Sequence, residues 1–125
     1  MQKTFLLIAS ILGTLSVSIG AFGAHALKAR LEAIQRLDTF ETAVKYQFYH
    51  TFAILVVALL LDKISGKGLE YAGWSFLGGI IVFSGSLYIL CLTGVTKWGA
   101  VTPFGGLLFI IGWVLLGWSV IKSVF

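Results

Sequence analysis

The chain has 125 residues, 58% of them hydrophobic and 11% charged, with a formal net charge of +4. A soluble domain typically carries about 25% charged residues to cover its surface, so 5 acidic and 9 basic side chains exclude a globule dissolved in water and point to hydrocarbon as the solvent. The length allows one domain over residues 1–125. The scattered bases form no nucleic-acid patch, and the lone cysteine, Cys91, permits no internal disulfide.

Crossing hydrocarbon about 30 Å thick takes about 20 apolar residues in a helix that rises about 1.5 Å per residue. The first stretch that qualifies runs from Thr4 to Ala24. With Lys3 before it and Ala24-His25-Ala26 after it, the stretch also fits a secretory signal with an A-x-A site. Its apolar run exceeds a usual signal core, and it is expected to remain as the first span. Ser10, Gly13, Ser16, Gly20 and Gly23 recur three or four apart along it, a small-residue stripe that lets helices approach closely in lipid. Over residues 27–37, Leu27, Leu31, Ile34 and Leu37 recur at helical spacing, with Lys28, Arg30, Glu32 and Arg36 on the other face. That is the pattern of a short amphipathic helix lying in the membrane interface.

The second span is expected over residues 43–61. Asp38 and Glu41 read as a capping box that starts its helix near Thr39, which leaves Lys45 close enough to the start to snorkel to the head groups. The third span covers residues 71–92, with Gly78, Gly79, Gly85 and Ser86 as its small residues and Trp74 and Trp98 near its ends as interface anchors. The fourth covers residues 103–121, where Thr102 reads as N-cap and Pro103 as first helical residue. Eleven Leu, Ile, Phe or Val residues between Phe104 and Ile121 favour its insertion by roughly 3–6 kcal/mol. Gly105, Gly106, Gly112 and Gly117 supply its small face. Four spans place both termini on one side with Lys3, Lys63, Lys67 and Lys122, against Lys28, Arg30, Arg36, Lys45 and Lys97 on the other. That division is too even for the positive-inside rule to orient the chain.

Polar groups in or near hydrocarbon are the functional leads. Tyr46, Gln47 and His50 share a helical face with Ala43, and His25 ends the first span at the same boundary. His25, Glu41, Tyr46, Gln47 and His50 are therefore expected at one membrane level. Ser84 and Tyr88 form an i, i+4 pair on the third span, and Thr102 opens the fourth on the side of His25. The plainest reading is a hydrogen-bonded cluster joining helix ends, because buried polar groups need partners; the functional reading is proton transfer or ligand contact. No H-x-x-x-H, E-x-x-H or cysteine cluster offers metal-ligand spacing, and no Ser-His-Asp or Cys-His arrangement or phosphate-cradling loop is present. Neither a metal nor a cofactor is expected.

Gly20-Ala21-Phe22-Gly23-Ala24-His25-Ala26-Leu27, then Phe40-Glu41-Thr42-Ala43 with Tyr46-Gln47 and His50, then Gly85-Ser86-Leu87-Tyr88, and finally Thr102-Pro103-Phe104-Gly105-Gly106 with Gly112-Trp113 resemble one family along nearly the whole chain. It is the "domain of unknown function 423" family of small bacterial membrane proteins, related to eukaryotic transmembrane protein 256. The resemblance implies a multi-pass protein of the bacterial inner (plasma) membrane with an uncut first helix. It brings no established activity and no agreed role for the motif positions.

The fold expected is an all-α membrane protein, a four-transmembrane-helix bundle with a short amphipathic interfacial helix between the first two spans. The leading functional expectation is a non-enzymatic protein surrounded by membrane lipids that acts by packing, as a homo-oligomer or an accessory subunit of a larger membrane complex. The alternative is a binding protein or carrier for a lipophilic small molecule such as a lipid or quinone, its head group near His25 and His50. An intramembrane enzyme or proton-coupled transporter is least expected, since no carboxylate lies mid-span and the two halves show no repeat.

Overall fold

The structure, a computed structural model, describes residues 1–124, and among them every regular element is helical. In chain order these are α1 (Gln2–Ala24), α2 (Lys28–Ala33), α3 (Leu37–Leu60), α4 (Gly68–Gly79), a π-helical turn (Ile80–Ser84), α5 (Gly85–Thr93), a 3-10 segment (Thr96–Ala100) and α6 (Thr102–Ile121). The π turn joins α4 and α5 into one rod. Four helices are then long and apolar enough to cross a membrane: Gln2–Ala24, Leu37–Leu60, Gly68–Thr93 and Thr96–Ile121.

The rod and α3 form the centre, with α1 packed along α3 and α6 along α4. Of the most apolar stretch of each span, 44% is buried in α3 and in the rod but only 17% in α1 and in the span that contains α6. The outer pair thus offers most of its surface to whatever surrounds the protein.

Lipid tails are as apolar as leucine, so close packing must supply what the hydrophobic effect supplies in water. Here the packing device is an aromatic ring seated in a glycine notch. Phe5 of α1 fills the space over Gly73 of α4, and Phe40 of α3 fills that over Gly23 of α1. Between α4 and α6 the exchange is reciprocal: Phe76 lies on Gly112 and Phe109 on Gly79. Gly105 is the tightest case, because a Cβ there would meet the backbone of Phe83 rather than a side chain that can turn away. Phe5, Phe76 and Phe109 join Ile54, Val57, Leu69 and Ala72 in one buried core.

Of the other small residues, Gly13 and Gly20 face Thr51 and Val44 of α3, and Gly106 touches the ring of Phe83. Gly85 and Gly117 differ from the expected packing role: nothing lies within 4 Å of where either Cβ would stand.

Three boundaries correct the sequence reading. α3 starts at Leu37 with Arg36 as N-cap and no side-chain cap bond, so Asp38 and Glu41 form no capping box. Leu37 packs against the buried Leu31, Phe40 and Cys91, which draws the first turn earlier and leaves Asp38 inside it, where a carboxylate favours the positive helix end. Thr102 is likewise inside α6, after Val101, because the 3-10 segment runs straight into the helix. Its hydroxyl bonds Ser86 Oγ at 2.6 Å instead of capping. The amphipathic helix spans only Lys28–Ala33; the chain turns at Gln35, whose φ of 56° a helix does not contain.

The glycine notches make a direct prediction. Gly105→Ala is expected to lower stability by about 1–3 kcal/mol, the usual cost of overpacking, while Gly117→Ala, with nothing within 4 Å of its Cβ position, leaves stability unchanged or raises it. Reversible unfolding of both variants in the same detergent micelle measures the difference.

Candidate functional site

With no water in the hydrocarbon, a buried hydroxyl or amide must be satisfied by protein. Ser16, Thr51 and Ser119 meet that demand within their own helices, each bonding the carbonyl four residues back, and the other interior polar side chains bond from helix to helix. Two rungs join α3 to the rod: Ser84 Oγ donates to the Ala43 carbonyl at 2.7 Å, and one turn on Tyr88 donates to Gln47 Oε1 at 2.6 Å. Gln47 Nε2 donates in turn to the Leu12 carbonyl of α1 at 3.3 Å, so one side chain links three helices. Ser86 and Thr102 join the rod to α6. Gln2 Nε2 donates to the Ala58 carbonyl at 2.9 Å, which ties the start of α1 to the end of α3. Among the described residues no buried side-chain nitrogen or oxygen lacks a partner.

His50 is the polar side chain that links α3 to α6. Trp113 Nε1–H, which can only donate, points at His50 Nε2 at 3.1 Å. Nε2 therefore accepts, and the proton sits on Nδ1, 2.8 Å from the Tyr46 carbonyl that receives it. The imidazole stacks on Phe109 with ring centres 3.5 Å apart and planes within 6°. Both nitrogens being engaged, the neutral ring offers no free lone pair for a metal and no open donor for a substrate. What surrounds it is a groove of about 620 Å³ between α3 and α6, lined by Tyr46, Pro103, Leu107, Phe109, Ile110 and Trp113 beside His50. Its walls are almost wholly carbon.

The residues expected at one level divide into separate places. Tyr46 and His50 line the α3–α6 groove, whereas Gln47 is buried away from it, between Leu12 and Tyr88. Glu41 is exposed and borders a crevice with Gly20, Gly23 and Lys45 between α1 and α3. His25 lines a shallow depression with Ser18, Ala21, Phe22 and Ala26 on α1. The helix register explains the division. Gln47 and His50, three apart, point about 60° away from each other on a helix that turns 100° per residue, and that angle selects different neighbours. Trp113 and Phe109, which complete the surroundings of His50, were not among the expected site residues: Trp113 stood only in the Gly112-Trp113 motif of the resemblance, and Phe109 reads as an ordinary lipid-facing aromatic.

Among known proteins, the family described as "Protein of unknown function (DUF423)" matches residues 19–106. The UPF0382 membrane protein YwdK of Bacillus subtilis (strain 168) is 43% identical over 122 residues, covering 97% of this chain and 98% of that protein. The chain belongs to the DUF423 family. A second similar relative, the UPF0382 membrane protein SH2409 of Staphylococcus haemolyticus (strain JCSC1435), is 41% identical and covers 98% of this chain and 99% of its own length. No solved structure matches the chain. The protein is thus a membrane protein of a family without an assigned activity. The matched DUF423 span includes the Ser84–Ala43, Tyr88–Gln47 and Ser86–Thr102 bonds.

A double-mutant cycle of Gln47→Leu and Tyr88→Phe is expected to give a coupling of about 0.6–1.7 kcal/mol, the range of interhelical hydrogen bonds in lipid; additive single losses would contradict the bridge. Nitrogen-15 spectra of the imidazoles are expected to show His50 as the Nδ1–H tautomer, and Trp113→Phe to loosen that preference by removing the donor to Nε2.

Proposed function

We propose that this DUF423 protein is a non-enzymatic subunit of the bacterial plasma membrane that works by lateral association, with copies of itself or within a larger membrane assembly. The observation that carries this reading is the contrast between inside and outside. Gln47, Ser84, Ser86, Tyr88 and His50 are engaged in holding the helices to one another, and among the described residues no buried side-chain nitrogen or oxygen lacks a partner. Meanwhile α1 and α6 keep most of their length uncovered. On α1 the outward side includes Ser10, Thr14 and Ser18, each hydroxyl bonded to the carbonyl four residues back. This small, internally satisfied ridge allows another helix to come close. Placement in the plasma membrane is supported by the helical spans, because bacterial outer-membrane proteins cross as β-barrels, and by the bacterial relatives that bear the name membrane protein.

A second reading is favoured by the α3–α6 groove: a lipophilic molecule, lipid or quinone, seated against Phe109 and Trp113. Its polar head would need partners other than His50, whose nitrogens are already bonded.

Association is tested with single cysteines at Thr14 and at Val114 in a Cys91→Ser background, oxidised in native membranes. Lateral association predicts a cross-linked species from at least one position and a particle larger than one chain in mild detergent. A monomeric particle with no cross-linked product from either position would overturn it. For the second reading, Gly106→Leu, at a glycine in the groove wall, is expected to fill the groove and remove a co-purifying lipophile seen by native mass spectrometry.

A further inference from the structure

Where α2, the start of α3 and the end of α5 meet, the protein has a cleft of about 300 Å³ walled by Arg30, Ile34, Arg36, Cys91, Leu92 and Thr93. It lies at the end of the bundle where the spans leave the apolar zone, on the opposite side of the membrane from Lys3 and Lys63. Two features set it apart from the other surface hollows. Two arginines line it, and among the described residues neither has a carboxylate partner. Among the described residues the ion pairs are Lys28–Glu32 and Lys67–Glu70, so Glu32 is turned to Lys28, and Asp38 pairs with neither arginine. Arg30 holds its place through one long bond, Nη2 to the Leu92 carbonyl at 3.5 Å, which leaves most of its five donors free.

We propose that this cleft binds the phosphate of an anionic phospholipid at the membrane boundary, with Arg30 and Arg36 as its ligands. Guanidinium is the side chain whose planar fork matches the oxygens of a phosphate. The partial negative charge at the α5 carbonyl end is about half a unit, too little to offset two full positive charges. The apolar wall identifies the rest of the ligand. Ile34 is 43% exposed and Leu92 is 55% exposed, and both stand in the cleft beside the charges. A free phosphate ion would leave them untouched, whereas the glycerol and first methylenes of a lipid would cover them. A zwitterionic head group would bring its own cation against the two guanidiniums, so the site selects lipids with a net negative head. The inference does not depend on lateral association, because every residue it uses belongs to one chain.

The test is native mass spectrometry of the whole protein titrated with phosphatidylglycerol, with phosphatidylcholine and diacylglycerol of the same chains, and separately with inorganic phosphate. Phosphatidylglycerol is expected to bind best. Arg30→Gln with Arg36→Gln is expected to weaken it about tenfold through loss of the charge-assisted bonds, while the charge-matched control, Lys3→Gln with Lys63→Gln, stays within about twofold, as expected of exposed bases at a distance. Should the glutamine pair fold poorly by circular dichroism, Arg30→Lys with Arg36→Lys keeps the charge and loses the fork, and an intermediate loss is expected. Equal losses from the arginine and lysine pairs, or diacylglycerol binding as well as phosphatidylglycerol, would overturn the proposal. Inorganic phosphate that binds alone and displaces the lipid would show a free-anion site and overturn the lipid assignment.

Discussion

A glutamine side chain set between helices in hydrocarbon can send its donors and acceptor only to other protein, and the position of Gln47 limits where three helices can stand. The residue is 3% exposed. Its amide reaches the Leu12 carbonyl on one side while its oxygen receives Tyr88 on the other. Sliding α1 or the rod by one residue along α3 moves its atoms about 1.5 Å, enough to lengthen a hydrogen bond beyond use. The Ser84–Ala43 bond repeats the condition one turn away, so the register between α3 and the rod is determined twice. The bonds are individually modest in lipid; their importance is that wrong registers strand polar atoms.

Steric notches add a second determinant that acts through shape. Phe76 on Gly112 and Phe109 on Gly79 form a reciprocal pair: each helix gives one ring and receives one. Such an arrangement tolerates neither rotation nor sliding, because any displacement drives a ring from its hollow into a neighbouring side chain. The π turn belongs to the same device. It contains Phe83, whose backbone lies against Gly105 of α6, and ends with Ser84, whose hydroxyl reaches α3. One local widening of the rod therefore serves contacts on two sides, consistent with the tendency of π turns to persist where they are used.

Span number and approximate length were legible in the sequence because hydropathy over about 20 residues is a one-dimensional property. Gly23, Gly105 and Gly112 could be marked as small positions, but Gly85 and Gly117 looked the same and are open: sequence shows a missing side chain but not the group that fills the space. The cap readings at Asp38 and Thr102 failed because capping competes with tertiary contacts. Leu37 gains a buried neighbourhood by joining the helix, and Thr102 gains a bond to Ser86. The interior polar residues were recognisable as a class from their cost in lipid. Their partners were not, since Tyr88 and Gln47, or His50 and Trp113, are brought together only by the crossing of helices far apart in sequence. The π turn left no recognised mark.

The engagement of both His50 nitrogens bears on where function resides. A histidine in an apolar span invites a catalytic or metal-binding reading, yet here its two nitrogens and one face are taken up by Tyr46, Trp113 and Phe109. Freeing Nε2 would require Trp113 to turn away, and that ring also packs edge-on against Phe76, itself seated on Gly112. Opening the site is thus coupled to the central notch packing rather than to a loose surface side chain. Chemistry at His50 would have to disturb the contacts that hold α4 to α6. The outer faces of α1 and α6, the α3–α6 groove and the arginine cleft can be engaged without such disruption.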